Sequence, residues 1–111
     1  MAIKIVISDT VGFKVKGTIN DEKGIAQPFD FTLICSRLDQ DQIQAKLKDN
    51  GDASLTDFLA DVIESWSGVR DASDAQLPYS EESLRALCKI PGVAGLAFRT
   101  YLSEVGAKEK N

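Results

Sequence analysis

Ile3, Ile5 and Ile7 alternate with Lys4, Val6 and Ser8, the period of two expected of a strand with one face buried, and predict a first strand over residues 3–8. After Asp9 to Gly12 a second alternation sets Phe13, Val15, Gly17 and Ile19 against Lys14, Lys16 and Thr18 and runs into the polar turn Asn20 to Gly24. A third sets Phe29, Phe31, Leu33 and Cys35 against Asp30, Thr32, Ile34 and Ser36, behind Pro28, which is tolerated near a strand's start. Such short connections favour an antiparallel meander. From Asp39, a candidate N-cap, the period changes: Ile43 and Leu47 share a helical face that ends near Asn50 and Gly51. The strongest helical pattern follows, with Leu55, Phe58, Leu59, Val62, Ile63 and Trp66 on one stripe and Asp57, Asp61 and Glu64 opposite. Ser54 or Asp52 can cap it, and Gly68 can close it.

Residues 69–79 read as a connecting loop, after which Ser80 caps a helix whose first turn carries Glu81 and Glu82. Leu84, Leu87 and Cys88 form its apolar face, and Pro91 stops it near Ile90. Pro91 suits the first turn of a last helix, on which Ala94, Ala97, Phe98, Tyr101, Leu102 and Val105 make one broad stripe. Val93 and Leu96 fall outside that stripe and are surplus to a one-sided helix. The elements predict an α+β fold: an N-terminal three-stranded antiparallel sheet within residues 3–36, packed against about four C-terminal helices. Residues 1–107 form one domain and 108–111 a flexible C-terminal tail.

A chain of 111 residues, 43% hydrophobic, can bury one modest core, which excludes a multidomain enzyme. Its apolar runs are far too short to span a bilayer. With 13 basic and 17 acidic residues the net charge is -4, which argues against nucleic acid as a partner. The absence of histidine removes the usual proton shuttle near neutrality and the base of a Ser-His pair. Cys35 and Cys88 lie too far apart in sequence for a metal-binding pair and read as small buried hydrophobes, with a bridge between them left open. The N-terminus has no signal-like apolar segment, so residence in the cytoplasm is expected. Charge is uneven: residues 39–83 carry 11 acidic and 3 basic side chains, residues 84–111 carry 5 basic and 2 acidic. Such a split can pair within a subunit or between copies arranged head to tail.

Asp57, Asp61 and Glu64, three carboxylates on one helix face, have the composition of a hard-cation or acid-base site, and a solvated polar face explains them more simply. Gly92 and Gly95 at a helix start suit close packing better than anion binding, because no phosphate-loop Lys-Ser or Lys-Thr follows them. Trp66 extends the core stripe, whereas Tyr79 between Pro78 and Ser80 is equally suited to an interface. No catalytic, cofactor or metal residue is assigned, and the chain reads as non-enzymatic.

The order Trp66-Ser67-Gly68-Val69 with Asp71, then Pro78-Tyr79-Ser80-Glu81-Glu82 with Leu84 and Leu87, then Ile90-Pro91-Gly92-Val93, Phe98 and Tyr101-Leu102, resembles tail assembly chaperones of long-tailed bacteriophages and related prophages. The resemblance covers about residues 55–105. It implies a protein of the host cytoplasm, absent from the finished virion, that binds the tape measure protein, keeps it soluble and helps recruit tail tube subunits. It also implies that a longer form can arise by ribosomal frameshifting near Gly106 to Lys110. Tyr79, Ile90, Val93, Leu96, Phe98, Tyr101 and Leu102 are then the expected partner-binding residues, and self-association is allowed by the charge split. The alternative is an acidic inhibitor that mimics a nucleic-acid backbone and binds a host protein; a third reading, a small metal-dependent hydrolase, would rest on the helix carboxylates.

Overall fold

The Asp21 carboxylate sets the first hairpin by accepting from the backbone N–H of Lys23 at 2.8 Å and of Ile25 at 3.0 Å. Gly24, with φ at +78°, supplies the left-handed residue that this turn needs. The turn joins β1 (Thr10–Asn20) to β2 (Ala26–Ser36) in one antiparallel ladder that runs from Thr10 opposite Ser36 to Asn20 opposite Ala26. The computed structural model describes residues 2–5, 7–49 and 54–108. After β2 come α1 (Gln40–Asp49), α2 (Leu55–Val62), β3 (Ile63–Ser67), α3 (Glu81–Cys88) and α4 (Val93–Val105). The chain is α+β: the described residues form a three-stranded antiparallel sheet in the order β1-β2-β3 and four helices.

The sheet's membership differs from expectation. Residues 3–8 are not its first strand: among the described residues of that segment none joins a ladder, and Ile3, Ile5 and Ile7 are 86%, 100% and 56% exposed. The expected connection at Asp9 to Gly12 does not turn, because Thr10, Val11 and Gly12 already belong to β1, and Asp9 accepts from Arg37 N–H at 2.7 Å. A period of two specifies a strand's faces but not its partner. The third strand is instead β3, so the sheet is not wholly N-terminal. The expected helix through Trp66 ends at Val62, and Ile63 turns into extended backbone at φ -74°, ψ 128°. Ile63 pairs with Cys35 and Trp66 with Leu33, with a bulge at the Ile34–Cys35 step. The extra residue lets two side chains three apart face the same side, a spacing that otherwise signals a helix.

The helix caps follow the sequence closely. Asp39 accepts from Gln42 N–H at 2.8 Å while the Gln42 side chain accepts from Asp39 N–H at 2.9 Å, a reciprocal capping box for α1. The expected end of that helix at Asn50 and Gly51, and the alternative cap Asp52, lie outside the described residues. Ser54 caps α2 through Asp57 N–H at 3.3 Å, and Ser80 caps α3 through Ser83 N–H at 3.0 Å. Pro91 is not in the first turn of α4; Gly92, at φ +89°, is the N-cap and the helix begins at Val93. Of the expected C-terminal tail only Lys108 is described, its ammonium 2.8 Å from Glu104.

The helices cover one sheet face. Val11, Phe13, Val15, Phe31, Leu33 and Cys35 point into the core, where they meet Phe58, Leu59, Val62, Leu84, Ala97 and Tyr101. The other face bears exposed Lys14, Lys16, Asp30 and Ile34. Tyr101, with none of its surface exposed, lies near the centre of the core, with ring centroids 6.2 Å from Phe13 and 5.8 Å from Phe58. Its hydroxyl donates to the Ser36 carbonyl at 2.8 Å and accepts from Leu38 N–H at 3.3 Å. Arg37, between those residues, donates from Nη1 to the Val105 carbonyl at 2.8 Å and so caps the C-terminus of α4.

Replacing Tyr101 with Phe leaves the Ser36 carbonyl and Leu38 N–H without their shared partner in a part-buried setting. We expect a loss of about 1–3 kcal/mol in urea unfolding with the native fold retained, because the ring packing is kept.

Candidate partner-binding groove

Gly17 continues the inward phase of Val11, Phe13 and Val15, but with no side chain it leaves a gap in that face of β1. Phe29, opposite Gly17 in the ladder, and Leu96 of α4 fill the gap: a Cβ at Gly17 would stand 2.7 Å from Phe29 Cζ and 2.9 Å from Leu96 Cδ2. Phe29 in turn lies nearly parallel to Phe31, with a centroid separation of 6.3 Å and an interplanar angle of 12°. The rest of the site comes from the turn between α3 and α4. Gly92 reverses the chain there, bringing Ile90 and Val93 beside Phe29. Two adjoining hollows of about 210 Å³ each share Ile19, Phe29, Ile90 and Val93. One extends over Phe31, Val69 and Leu87, the other over Pro91 and Leu96. Their rims carry Asp30, Arg70 and Arg99.

This is an apolar groove with charged edges. Ile19 is 47% exposed, so its walls accept aliphatic side chains without first being uncovered. Each Leu, Ile or Val fully buried there contributes about 1.5–3 kcal/mol.

The structure brings three of the seven expected binding residues together: Ile90, Val93 and Leu96. Val93, expected at the surface, is only 6% exposed, and Leu96 is half-buried. The reason is that α4 packs on β1 on one side and on α2 on the other, which widens its buried arc beyond a simple stripe. The other four stand elsewhere. Phe98 packs edge-on to Phe58 at 5.1 Å, and Tyr101 is wholly buried in the core. Tyr79 packs edge-on to Trp66 at 5.1 Å, while the Trp66 indole N–H donates to the Leu77 carbonyl at 2.7 Å. Burial, then Glu81, pushes the Tyr79 hydroxyl pKa up. Leu102 lines a separate cavity of about 620 Å³ with Ile5, Ile7, Leu38, Ile43 and Leu47, near the start of β1. Sequence reasoning missed Gly17, Ile19 and Phe29 as site residues. Their signal was a glycine inside an alternating strand, which marks a close approach.

The candidate carboxylate face is dispersed. Asp57 accepts from Arg85 at 2.8 Å and Asp61 from Lys46 at 3.0 Å, while Glu64 stands on β3 rather than on the helix. Among the described residues no three His, Cys, Asp or Glu side chains are grouped as a metal site. Gly92 has open space where a Cβ would be, so its role is backbone conformation and not close packing; at Gly95 the nearest neighbour is the Arg99 guanidinium. Cys35 and Cys88 are both free thiols, and burial pushes the Cys35 pKa up to about 12. No helix among the described residues is long and apolar enough to cross a membrane.

Comparison with protein-family models, with curated proteins and with solved structures gives no match for this chain.

Two predictions follow the geometry. Gly17→Ala pushes the flexible ends of Phe29 and Leu96 aside and costs about 1–3 kcal/mol; amide and methyl shifts in an NMR spectrum should concentrate at Phe29, Leu96 and Ile90. The Arg85 hydrogen bond, and secondarily its charge, hold the Asp57 carboxyl below the ordinary aspartate value of 3.8. A lowered folded pKa means that the pair's stabilisation is present above the unfolded aspartate pKa and is lost as pH falls through the lower folded value. A carboxyl NMR titration should place Asp57 below 3.8, and Arg85→Gln should move it upward.

Proposed function

We propose that this chain is a non-catalytic chaperone of phage tail assembly, which holds apolar segments of the tape measure protein and keeps that protein soluble while tail tube subunits gather. The observation that carries the reading is the Phe29 groove, where Ile90 and Val93 of the Ile-Pro-Gly-Val turn meet Ile19 and Leu96. The resemblance of residues 55–105 to tail assembly chaperones supplies the partner's identity, and the groove supplies a means of holding it. A long apolar partner offers many aliphatic side chains, so several copies can each take one stretch, and weak single contacts add through multivalency. Binding without chemistry suits a protein that leaves before the virion is complete. The site of action is the host cytoplasm.

The acidic-inhibitor reading draws less support. Asp57, Asp61 and Asp74 each have a cationic partner within 4 Å, and Asp71 accepts from Ser73 and Ala75 in its own turn. These carboxylates are partly neutralised or occupied, which is a poor imitation of a phosphate row.

Co-expression with a tape measure protein from a long-tailed phage should keep that protein soluble and co-purify it. Ile90→Asp, at an exposed position, should weaken the complex roughly 10- to 100-fold, the loss of one buried aliphatic contact. Equal precipitation of the tape measure protein with and without the wild-type chain would overturn the reading.

A further inference from the structure

The chain carries an apolar docking groove and, at the opposite end of its sheet, an apolar strand-patterned segment that its own sheet does not use. Ile3, Ile5 and Ile7 alternate as a strand face does, yet stand 86%, 100% and 56% exposed. We propose that these isoleucines of one copy dock in the Phe29 groove of a second copy, so that the protein associates head to tail. This rests on the reading of the groove as a docking site but not on the identity of the partner that it serves.

Reach excludes Ile5 and Ile7 of the same copy as the occupants. The segment is anchored at Asp9, whose carbonyl accepts from Arg37 N–H at 2.7 Å. Ile5 therefore lies within about 14 Å of Asp9, and Ile3 within about 21 Å, even when the chain is fully extended. Phe29, opposite Gly17 in the ladder, lies eight strand residues beyond Asp9, about 26 Å away, and Ile19 lies farther still. The nearest wall, Phe31 opposite Val15, is about 20 Å from Asp9, so Ile5 and Ile7 cannot fill the groove of their own chain.

Charge favours the same pairing. Asp9 and Asp39 stand beside Ile5 and Ile7 at the donor end, and Asp41 follows in the first turn of α1, against one cation there, Arg37, which is turned to the Val105 carbonyl. The groove's rim carries Arg99 and Arg70, the latter 3.7 Å from Asp74, with Lys89 exposed next to Ile90; Asp30 also borders it, as Lys4 lies in the donor segment. The donor end has an excess of acidic side chains and the rim an excess of basic ones, so the two are complementary in sign. Donor and acceptor are different surfaces, so the contact is heterologous: it propagates into a chain of subunits or closes into a ring. The groove would then be occupied by a neighbour until an apolar partner segment displaces it, so self-association and partner binding compete.

The test uses the purified chain alone, which separates it from the tape measure experiment. In sedimentation velocity the wild type should grow in mass with concentration. Ile5→Asp, which spoils the donor, and Ile90→Asp, which spoils the acceptor, should each weaken association at least tenfold and sediment as monomers. Both positions are exposed, and circular dichroism melts should match the wild type. The two variants mixed in equal amounts retain one good donor and one good groove, so they should form a dimer and nothing longer. A wild type that stays monomeric, an assembly that survives either substitution, or a mixture that stays monomeric would each overturn the proposal.

Discussion

The hydroxyl of Tyr101 ties the two layers of the molecule together. A buried phenol is costly unless its polar end is satisfied, and this one is satisfied where β2 ends, by the Ser36 carbonyl and Leu38 N–H. Between those two contacts Arg37 reaches the Val105 carbonyl and fixes the C-terminal end of α4. Helix and strand end thus hold each other, and the position of α4 over β1 follows. With α4 set in this way, Leu96 must meet β1 near residue 17, and only glycine there leaves room for both Leu96 and Phe29. The groove at one end of the sheet is therefore a consequence of a hydrogen-bonded clamp at the other.

The helices punctuated by local chemistry were legible in the sequence, because their caps are made by residues within three positions of the helix start: Asp39 with Gln42, Ser54 with Asp57, Ser80 with Ser83. The β1–β2 hairpin was legible for the same reason, since Asp21 and Gly24 build the turn locally. Two features were not. Residues 63–67 satisfy a helical period and also a bulged strand, and the choice between them is made by Leu33 and Cys35, some thirty residues away in sequence. Ile3, Ile5 and Ile7 have the alternation of a strand, but pairing needs a partner edge, and periodicity carries no information about one.

The candidate site was half legible for a related reason. Ile90, Val93 and Leu96 lie within a few residues of the turn at Gly92, so one local pattern contained them. Phe29 and Ile19 join them only because the β1–β2 ladder runs beneath α4, which is tertiary information. Tyr101 shows the converse: an aromatic in a recognised motif invited an interface role, while complete burial gives it a structural one. A run of residues that reads as one motif thus includes side chains that build the core and not a surface.

The shape of the chain bears on how it meets partners. Its radius of gyration is 15.4 Å, against about 13 Å for a compact domain of this length. The long β1–β2 hairpin contributes to that extent, and five exposed isoleucines lie near the two ends of its ladder: Ile19 and Ile25 at the turn, Ile3, Ile5 and Ile7 before β1. Single exposed apolar residues need no explanation, but clusters at both ends of an elongated molecule are surfaces that gain free energy when covered. The molecule is thus apolar at both ends, with an excess of acidic side chains near one and of basic side chains near the other. The same geometry explains why a small domain with one modest core tolerates that exposure: the buried cluster between sheet and helices holds the middle together, and the apolar residues at the ends lie outside it.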